Sequence, residues 1–289
     1  ADSLATIRAA LDAGVNFLDT AYCYGRQGES EALIGRALEG RREEAIIASK
    51  GGIHYDASGA QSRDGRPETL HRECRESLAR LGTDRVELYY LHAPDPQAPV
   101  ADSAAAIAEL IEAGLVRYAG ASNCQLDQLQ TFHSVCPLTV VQLPYNMLQR
   151  GIEEQTIPWC LENRIALAVY WPLMKGLLAG RLPADGQLDP SDRRRDYPMY
   201  QGEEWTKNQR FVDELREVAK QCGRTVSQLV VNWTINQPGV AVALCGAKRP
   251  WQIEETAGAM GWRMTEQQAA AVEAAIVARG AAEVNRTFR

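Results

Sequence analysis

Asp19 and Tyr24 share the stretch VNFLDTAYCYG, residues 15–25, in which an apolar strand-like run gives way to a glycine-terminated loop. Two further polar residues end runs of the same kind: Lys50 closes AIIASK and His92 closes VELYYLH. A phenol, an ammonium, a carboxylate and an imidazole brought to one place make an acid catalyst. A tyrosine ordinarily titrates near pH ~10, and a neighbouring ammonium favours the phenolate and lowers that value. Asp19 is the natural counter-ion for Lys50, and His92 can donate to a carbonyl oxygen beside Tyr24. Such a group protonates an oxyanion as it forms, and with a hydride donor alongside it reduces carbonyls.

Those residues need a frame that gathers strand ends. Seven short β-rich runs recur, at 15–19, 45–50, 86–92, 116–122, 139–145, 165–171 and 240–246, with helical periodicity between them in SEALIGRALEG, ETLHRECRESLARLG, ADSAAAIAELIEAG, NQRFVDELREVAKQCG and VSQLVVNWTINQ. Strict alternation predicts a parallel sheet, either doubly wound or closed as a barrel. No GxGxxG follows the first strand, which argues against the dinucleotide-binding open sheet. Asp19, Lys50, His92, Ser122 with Asn123, Gln142, Tyr170, and Lys248 with Arg249 all fall at or just past C-terminal strand ends. A barrel collects those ends into one mouth. The expectation is therefore α/β, a (β/α)8 TIM barrel forming a single domain over 1–289, with the first strand missing because the sequence opens directly in an amphipathic helix. Two long segments, 51–67 and 181–205, read as irregular lids or binding loops.

The matching stretches NFLDTAYCYGRQGESEALIGRAL, IIASKGG, ESLARLGTDRVELYYLHAPDP, ELIEAGLVRYAGASN, VQLPYNMLQR, YWPLMKGLLAGRL and GAKRPWQIEE, in that order, resemble the aldo-keto reductases. The resemblance implies Tyr24 as general acid, Lys50 and Asp19 as its supporting pair, and His92 as the residue that orients the substrate. It places Ser122, Asn123 and Gln142 on a nicotinamide carboxamide and Tyr170 against the nicotinamide face. Trp171, Leu173, Gly176 and Leu178 fall on the segment over the pyrophosphate, and Gly246, Lys248, Arg249 and Gln252 at the adenosine end. The cationic pair favours NADPH, with NADH possible. The chain departs from the family at Trp171, often serine there, and at Gln252 and Thr256.

The 289 residues carry a formal charge of -6 with no basic stripe, which predicts a small-molecule substrate, a carbonyl compound by the resemblance, and neither nucleic acid nor membrane as partner. Seven cysteines without a CxxC read as reduced thiols in a cytoplasmic protein. Cys23 and Cys124 border the site as packing residues. Tyr22, Tyr55, Tyr197, Tyr200 and Trp205 suggest a partly apolar substrate pocket. Two other functions fit the pattern less well: a non-enzymatic coenzyme-binding subunit resembling potassium-channel β subunits, and a metal-dependent hydrolase, for which four histidines without an HxH pair offer few ligands.

Overall fold

The computed structural model describes residues 2–55, 59–182 and 188–283. Along the chain run α1 (Asp2–Asp12), β1 (Phe17–Asp19), α2 (Glu29–Ala37), β2 (Ile46–Gly51), β3 (Ile53–Tyr55), β4 (Gln61–Arg63), α3 (Pro67–Leu81), β5 (Val86–Leu91), α4 (Val100–Glu112) and β6 (Val116–Ser122). There follow α5 (Leu126–Val135), β7 (Leu138–Pro144), α6 (Thr156–Glu162), β8 (Ala166–Tyr170), α7 (Gly202–Gln221), α8 (Val226–Ile235), β9 (Val240–Leu244), α9 (Pro250–Ala257) and α10 (Glu266–Arg279). All seven expected strands form one sheet in the order β1-β2-β5-β6-β7-β8-β9, which is their order along the chain. The pairings from β1 through β7 are parallel. Sequential parallel strands with a helix between each are the construction of a (β/α)8 barrel.

Two compact units divide the chain. The first holds Ala1–Leu143, Gln155–Ala168 and Ala247–Ile253, and the second holds Pro144–Glu154, Val169–Gly246 and Glu254–Arg289. In the first unit the strands are buried on both faces, which is why they read as unbroken apolar runs. Ile47, Ala48, Ser49 and Lys50 of β2 are fully buried, as are Tyr89, Tyr90 and Leu91 of β5. Strand alternation splits the polar pair in β2. Ser49 donates to Glu31 of α2 at 2.7 Å, and Glu31 in turn accepts from Arg80 of α3 at 3.2 Å. Lys50 turns the opposite way, toward Asp19. Inside the sheet, Ala48, Leu88 and Tyr90 pack together with Phe17 and Val140 against them. Gly120 of β6 lies opposite Tyr90 in the strand register, and a Cβ there would stand 2.3 Å from the Tyr90 ring. Glycine is what lets the ring lie flat on the neighbouring strand.

The segment 51–67 is more ordered than its composition suggests. β3 and β4 form an antiparallel hairpin in the register Ile53↔Arg63, His54↔Ser62 and Tyr55↔Gln61, with residues 56–58 outside the described part. Three-residue strands are too short for alternation to be read from sequence. The hairpin is tied down by buried Glu73 of α3, which accepts from the Gly52 N–H at 2.7 Å and meets His54 Nδ1 at 2.9 Å. In the second unit, the described part of 181–205 contains tight helical turns at Arg193–Asp196 and Pro198–Tyr200, and α7 begins at Gly202. Residues 183–187 and the tail 284–289 lie outside the described part.

Gly120→Ala is expected to overpack the Tyr90 ring and cost about 1–3 kcal/mol of stability, measurable as a lower denaturant midpoint. An unchanged midpoint would mean that the ring can move aside without cost.

Candidate active site

The first unit builds the site around Lys50. Its ammonium is fully buried and donates to Asp19 Oδ1 at 2.5 Å and to the Thr20 carbonyl at 2.7 Å. The other Asp19 oxygen, Oδ2, accepts from Gln142 Nε2 at 2.8 Å. Lys50 Nζ lies 4.9 Å from the centroid of the Tyr24 ring, and the Tyr24 ring meets His92 edge-on at 5.7 Å. Asp19, Lys50 and His92, from strand ends, and Tyr24, from the loop after β1, are thus brought together. His92 is held by its backbone: its N–H donates to Gly51 O at 2.9 Å, and Asn123 Nδ2 donates to His92 O at 2.8 Å. Asn123 adopts a left-handed φ of 58°, a conformation asparagine tolerates better than most residues. Ser122 and Gln142 are paired in register and buried.

The electrostatics correct one expectation. Burial pushes the Tyr24 hydroxyl above its ordinary value, Lys50 opposes that rise, and the Asp19 charge adds to it; the net direction is upward, where the bare Lys–Tyr pair predicts a fall. Tyr24 as a whole keeps 40 % of its surface open, and burial is nonetheless the largest cause of the upward shift. For Lys50, burial works toward the neutral amine, but the charges of Asp19 and Tyr24 and their hydrogen bonds outweigh it and hold the ammonium. His92 is driven well below its ordinary value by burial and then by Lys50, so its imidazole is neutral. Cys23 Sγ lies 3.7 Å from His92 Nδ1. Burial raises the Cys23 thiol to about 11 and the Cys124 thiol to about 12, so both stay protonated and act as packing groups.

The remaining expected positions differ in what they present. Lys248 and Arg249 are exposed at the start of α9, and Arg249 pairs with Asp2 of α1. Gln252, expected at the coenzyme, turns its side-chain oxygen back to the Lys248 and Arg249 N–H groups at 2.7 and 3.0 Å, a cap on the α9 turn. In the second unit, Tyr170 and Trp171 pack edge to face at 5.1 Å. The segment after them is tightly wound: Trp171, Met174, Lys175 and Gly176 all have positive φ, and the Gly176 and Leu178 N–H groups both donate to Leu173 O. Only glycine adopts the φ of 95° at Gly176 without strain. The Leu178 side chain is fully buried, and Gly246 is exposed. The aromatics proposed for a pocket have separate duties. Tyr22 donates to Glu76 at 2.7 Å beneath Arg80, Tyr55 is exposed at the end of β3, Tyr197 lies 4.8 Å under Lys175, and Tyr200 stacks on Trp205, both buried.

The aldo/keto reductase family model matches residues 1–277. The chain belongs to the aldo/keto reductase family. Aldo-keto reductase YhdN of Bacillus subtilis (strain 168) is 35% identical over 268 residues, 92% of this chain and 80% of that protein. The structure of the glycerol dehydrogenase AKR11B4 from Gluconobacter oxydans matches with a TM-score of 0.92 at 32% identity, covering 99% of this chain and 88% of that one. An aldo/keto reductase from Klebsiella pneumoniae, in complex with NADP and acetate, matches with a TM-score of 0.75 at 25% identity, covering 99% and 88%. The fold is that of the family's (β/α)8 barrel, with seven of its strands in the described residues, and this aldo/keto reductase is an oxidoreductase.

Three groups in this aldo/keto reductase escaped the motif reading. The Thr20 carbonyl holds Lys50, the buried Glu73 carboxylate ties the hairpin that follows β2, and Tyr90 lies under Lys50 with the ammonium 5.8 Å from its ring centroid. A main-chain acceptor leaves no side-chain signature, and a lone tyrosine in an apolar strand reads as core.

Replacing Asp19 with Asn leaves a buried ammonium without its counter-charge and is expected to cost about 3–5 kcal/mol at neutral pH. In that variant the Lys50 value falls below its unfolded value, so the folded state binds fewer protons and stability rises between pH ~7 and ~10. In the parent, Lys50 is raised, so its contribution is intact below pH ~10.4 and is lost only above it. Urea melts across this range check both slopes, and a pH-independent deficit in the variant would show that Asp19 does not hold the Lys50 charge.

Proposed function

We propose that this aldo/keto reductase reduces aldehyde or ketone carbonyls to alcohols with NADPH, with Tyr24 as the general acid, and runs the reverse oxidation when coenzyme ratios allow. The observation that carries this reading is the buried Lys50 ammonium, clamped by Asp19 and set beside the Tyr24 ring. Coenzyme, when bound, would supply the hydride for the carbonyl carbon. The neutral His92 imidazole donates to the carbonyl oxygen and fixes it near Tyr24. As electron density collects on that oxygen, Tyr24 gives up its proton, and the phenolate left behind faces the Lys50 charge. Solvent then returns a proton to Tyr24. A phenol whose value is raised keeps its proton ready at neutral pH, while Lys50 limits the cost of releasing it.

The donors and acceptors on the chain fit the coenzyme. A carboxylate can only accept, so the nitrogen of Gln142 must face Asp19 and its oxygen is left for a carboxamide N–H. Ser122 and Asn123 at the adjacent strand end complete that contact. Within the second unit by itself, the Tyr170 ring is followed by Leu173, Gly176 and Leu178 in a glycine-containing turn whose backbone is open to close approach. The exposed Lys248 and Arg249 suit a 2′-phosphate, for which Arg249 would exchange the exposed carboxylate of Asp2. Similarity to a glycerol dehydrogenase points to small hydroxylated substrates, with glyceraldehyde the first to try in the reducing direction.

Tyr24→Phe is expected to lower turnover by about 10²–10⁴-fold with NADPH affinity retained, measured as NADPH consumption with glyceraldehyde and an aromatic aldehyde. Equal activity in the two proteins would remove Tyr24 from the mechanism. Tight NADPH binding without turnover on a broad carbonyl panel would favour the coenzyme-binding subunit. Because Tyr24 is raised and His92 lowered, kcat for reduction should be level from pH ~6 to ~9 and fall only beyond ~10, where the phenol deprotonates. An acidic limb near pH ~6.5 in the kcat profile would contradict a neutral His92.

A further inference from the structure

Cys23 and Tyr24 are consecutive residues of one tight turn, closed by the Tyr24 N–H donating to Ala21 O at 3.0 Å. They meet the His92 ring in different ways. The Tyr24 ring stands edge-on to it at 5.7 Å, whereas Cys23 Sγ lies 3.7 Å from His92 Nδ1, within hydrogen-bonding reach of a sulfur. Tyr24 is partly open to solvent, while Cys23 is buried and packs with Ala21, Ile53 and Ala93. Those three side chains carry no acceptor, and His92 Nδ1 offers the thiol one.

Three placements of the protons fit a thiol beside an imidazole. A thiolate paired with an imidazolium needs the thiol to fall and the imidazole to rise. Burial drives both the other way, Cys23 up to about 11 and His92 well below its ordinary value. Both groups are therefore neutral, and one ring nitrogen carries a proton. If it were Nδ1, that N–H would be spent on sulfur, a weak acceptor, and Nε2 would turn a lone pair toward a carbonyl oxygen, which repels it. With the proton on Nε2, the thiol donates to Nδ1 and Nε2 keeps its own N–H to give. Only this last placement uses both polar hydrogens.

We propose that Cys23 is a positioning residue: its S–H donates to His92 Nδ1 and so keeps the imidazole proton on Nε2, the nitrogen that donates to the carbonyl oxygen. The proposal rests on the reading of His92 as the group that orients that oxygen. The tautomer of a neutral histidine is set by the bond its other nitrogen makes, and here that bond comes from the residue next to the acid. The turn that carries Tyr24 therefore also decides which end of His92 gives a hydrogen bond. Cysteine suits the place, because it packs as a small apolar side chain and still brings a donor.

The test is ¹⁵N NMR of the full chain labelled at histidine, recorded at neutral pH without coenzyme, with His92 assigned among the four histidines from a His92→Gln variant. The parent should show a protonated Nε2 and an unprotonated, hydrogen-bonded Nδ1. Cys23→Ala should populate the Nδ1–H tautomer and lower kcat by roughly two- to tenfold, the worth of one net hydrogen bond, with the Kd for NADPH unchanged. Cys23→Ser returns a donor and should recover the Nε2–H tautomer and part of kcat. A parent His92 protonated on Nδ1 would overturn the proposal, and so would a Cys23→Ala protein that keeps either the parent's tautomer or its kcat. A parent with the expected spectrum that reduces no carbonyl would instead overturn the reductase reading and the catalytic use of this tautomer, while the spectrum itself upholds the bond from Cys23.

Discussion

A buried ammonium dictates much of what surrounds it. Removing a charge from water is costly enough that it must be paired and hydrogen-bonded in place, and Lys50 receives both from Asp19 and the Thr20 carbonyl. These acceptors come from the end of β1 and the residue after it, while Lys50 comes from β2, so the parallel register Asp19↔Ala48 sets their separation. The opposite face of β2 is anchored by Ser49 on Glu31, which fixes the strand's orientation and therefore the direction in which Lys50 points. A shift of one residue in that strand would exchange the two side chains and put the ammonium among helices.

The chemistry follows from a contest between burial and charge. Desolvation by itself would make the Tyr24 phenol a poor acid, and the nearby ammonium by itself would make it a partly ionised one. The structure places Tyr24 above its ordinary value with Lys50 working against the rise. The acid is therefore fully protonated at neutral pH, and its conjugate base is formed beside a fixed positive charge. Preorganised charge of this kind stabilises what develops in the transition state without rearranging at the moment of reaction. The same ammonium, together with burial, keeps His92 neutral, so one imidazole nitrogen remains a donor and the other an acceptor.

How much of this the sequence displays depends on the physics of each part. The strands are legible because a sheet buried on both faces is written as uninterrupted apolar runs, and Asp19, Lys50, His92 and Gln142 stand out as the polar residues that end them. The hairpin of β3 and β4 is hidden by its brevity. Helix α10 is hidden because EQQAAAVEAAIVAR is alanine-rich on every side and shows no clear apolar stripe. The direction of the Tyr24 shift is not legible, because it turns on how far a hydroxyl is desolvated, and residue types do not record that. Gln252 shows a contact that spacing does not display, its side-chain oxygen accepting from the Lys248 and Arg249 N–H groups at the start of its own helix. Arg249 shows another, since its partner, Asp2, is far away in sequence.

The central claim is that Tyr24 stores a proton against the pull of Lys50. The most direct measurement is a pH titration of the coenzyme-free protein carrying ¹³Cζ-labelled tyrosine, with the Tyr24 resonance assigned from the spectrum of a Tyr24→Phe variant. The account predicts that the Tyr24 signal keeps the chemical shift of a neutral phenol through pH ~10 and moves only above it. A Tyr24 signal already at the phenolate position near pH ~7 would contradict it, and would mean that the ammonium, not burial, governs this acid.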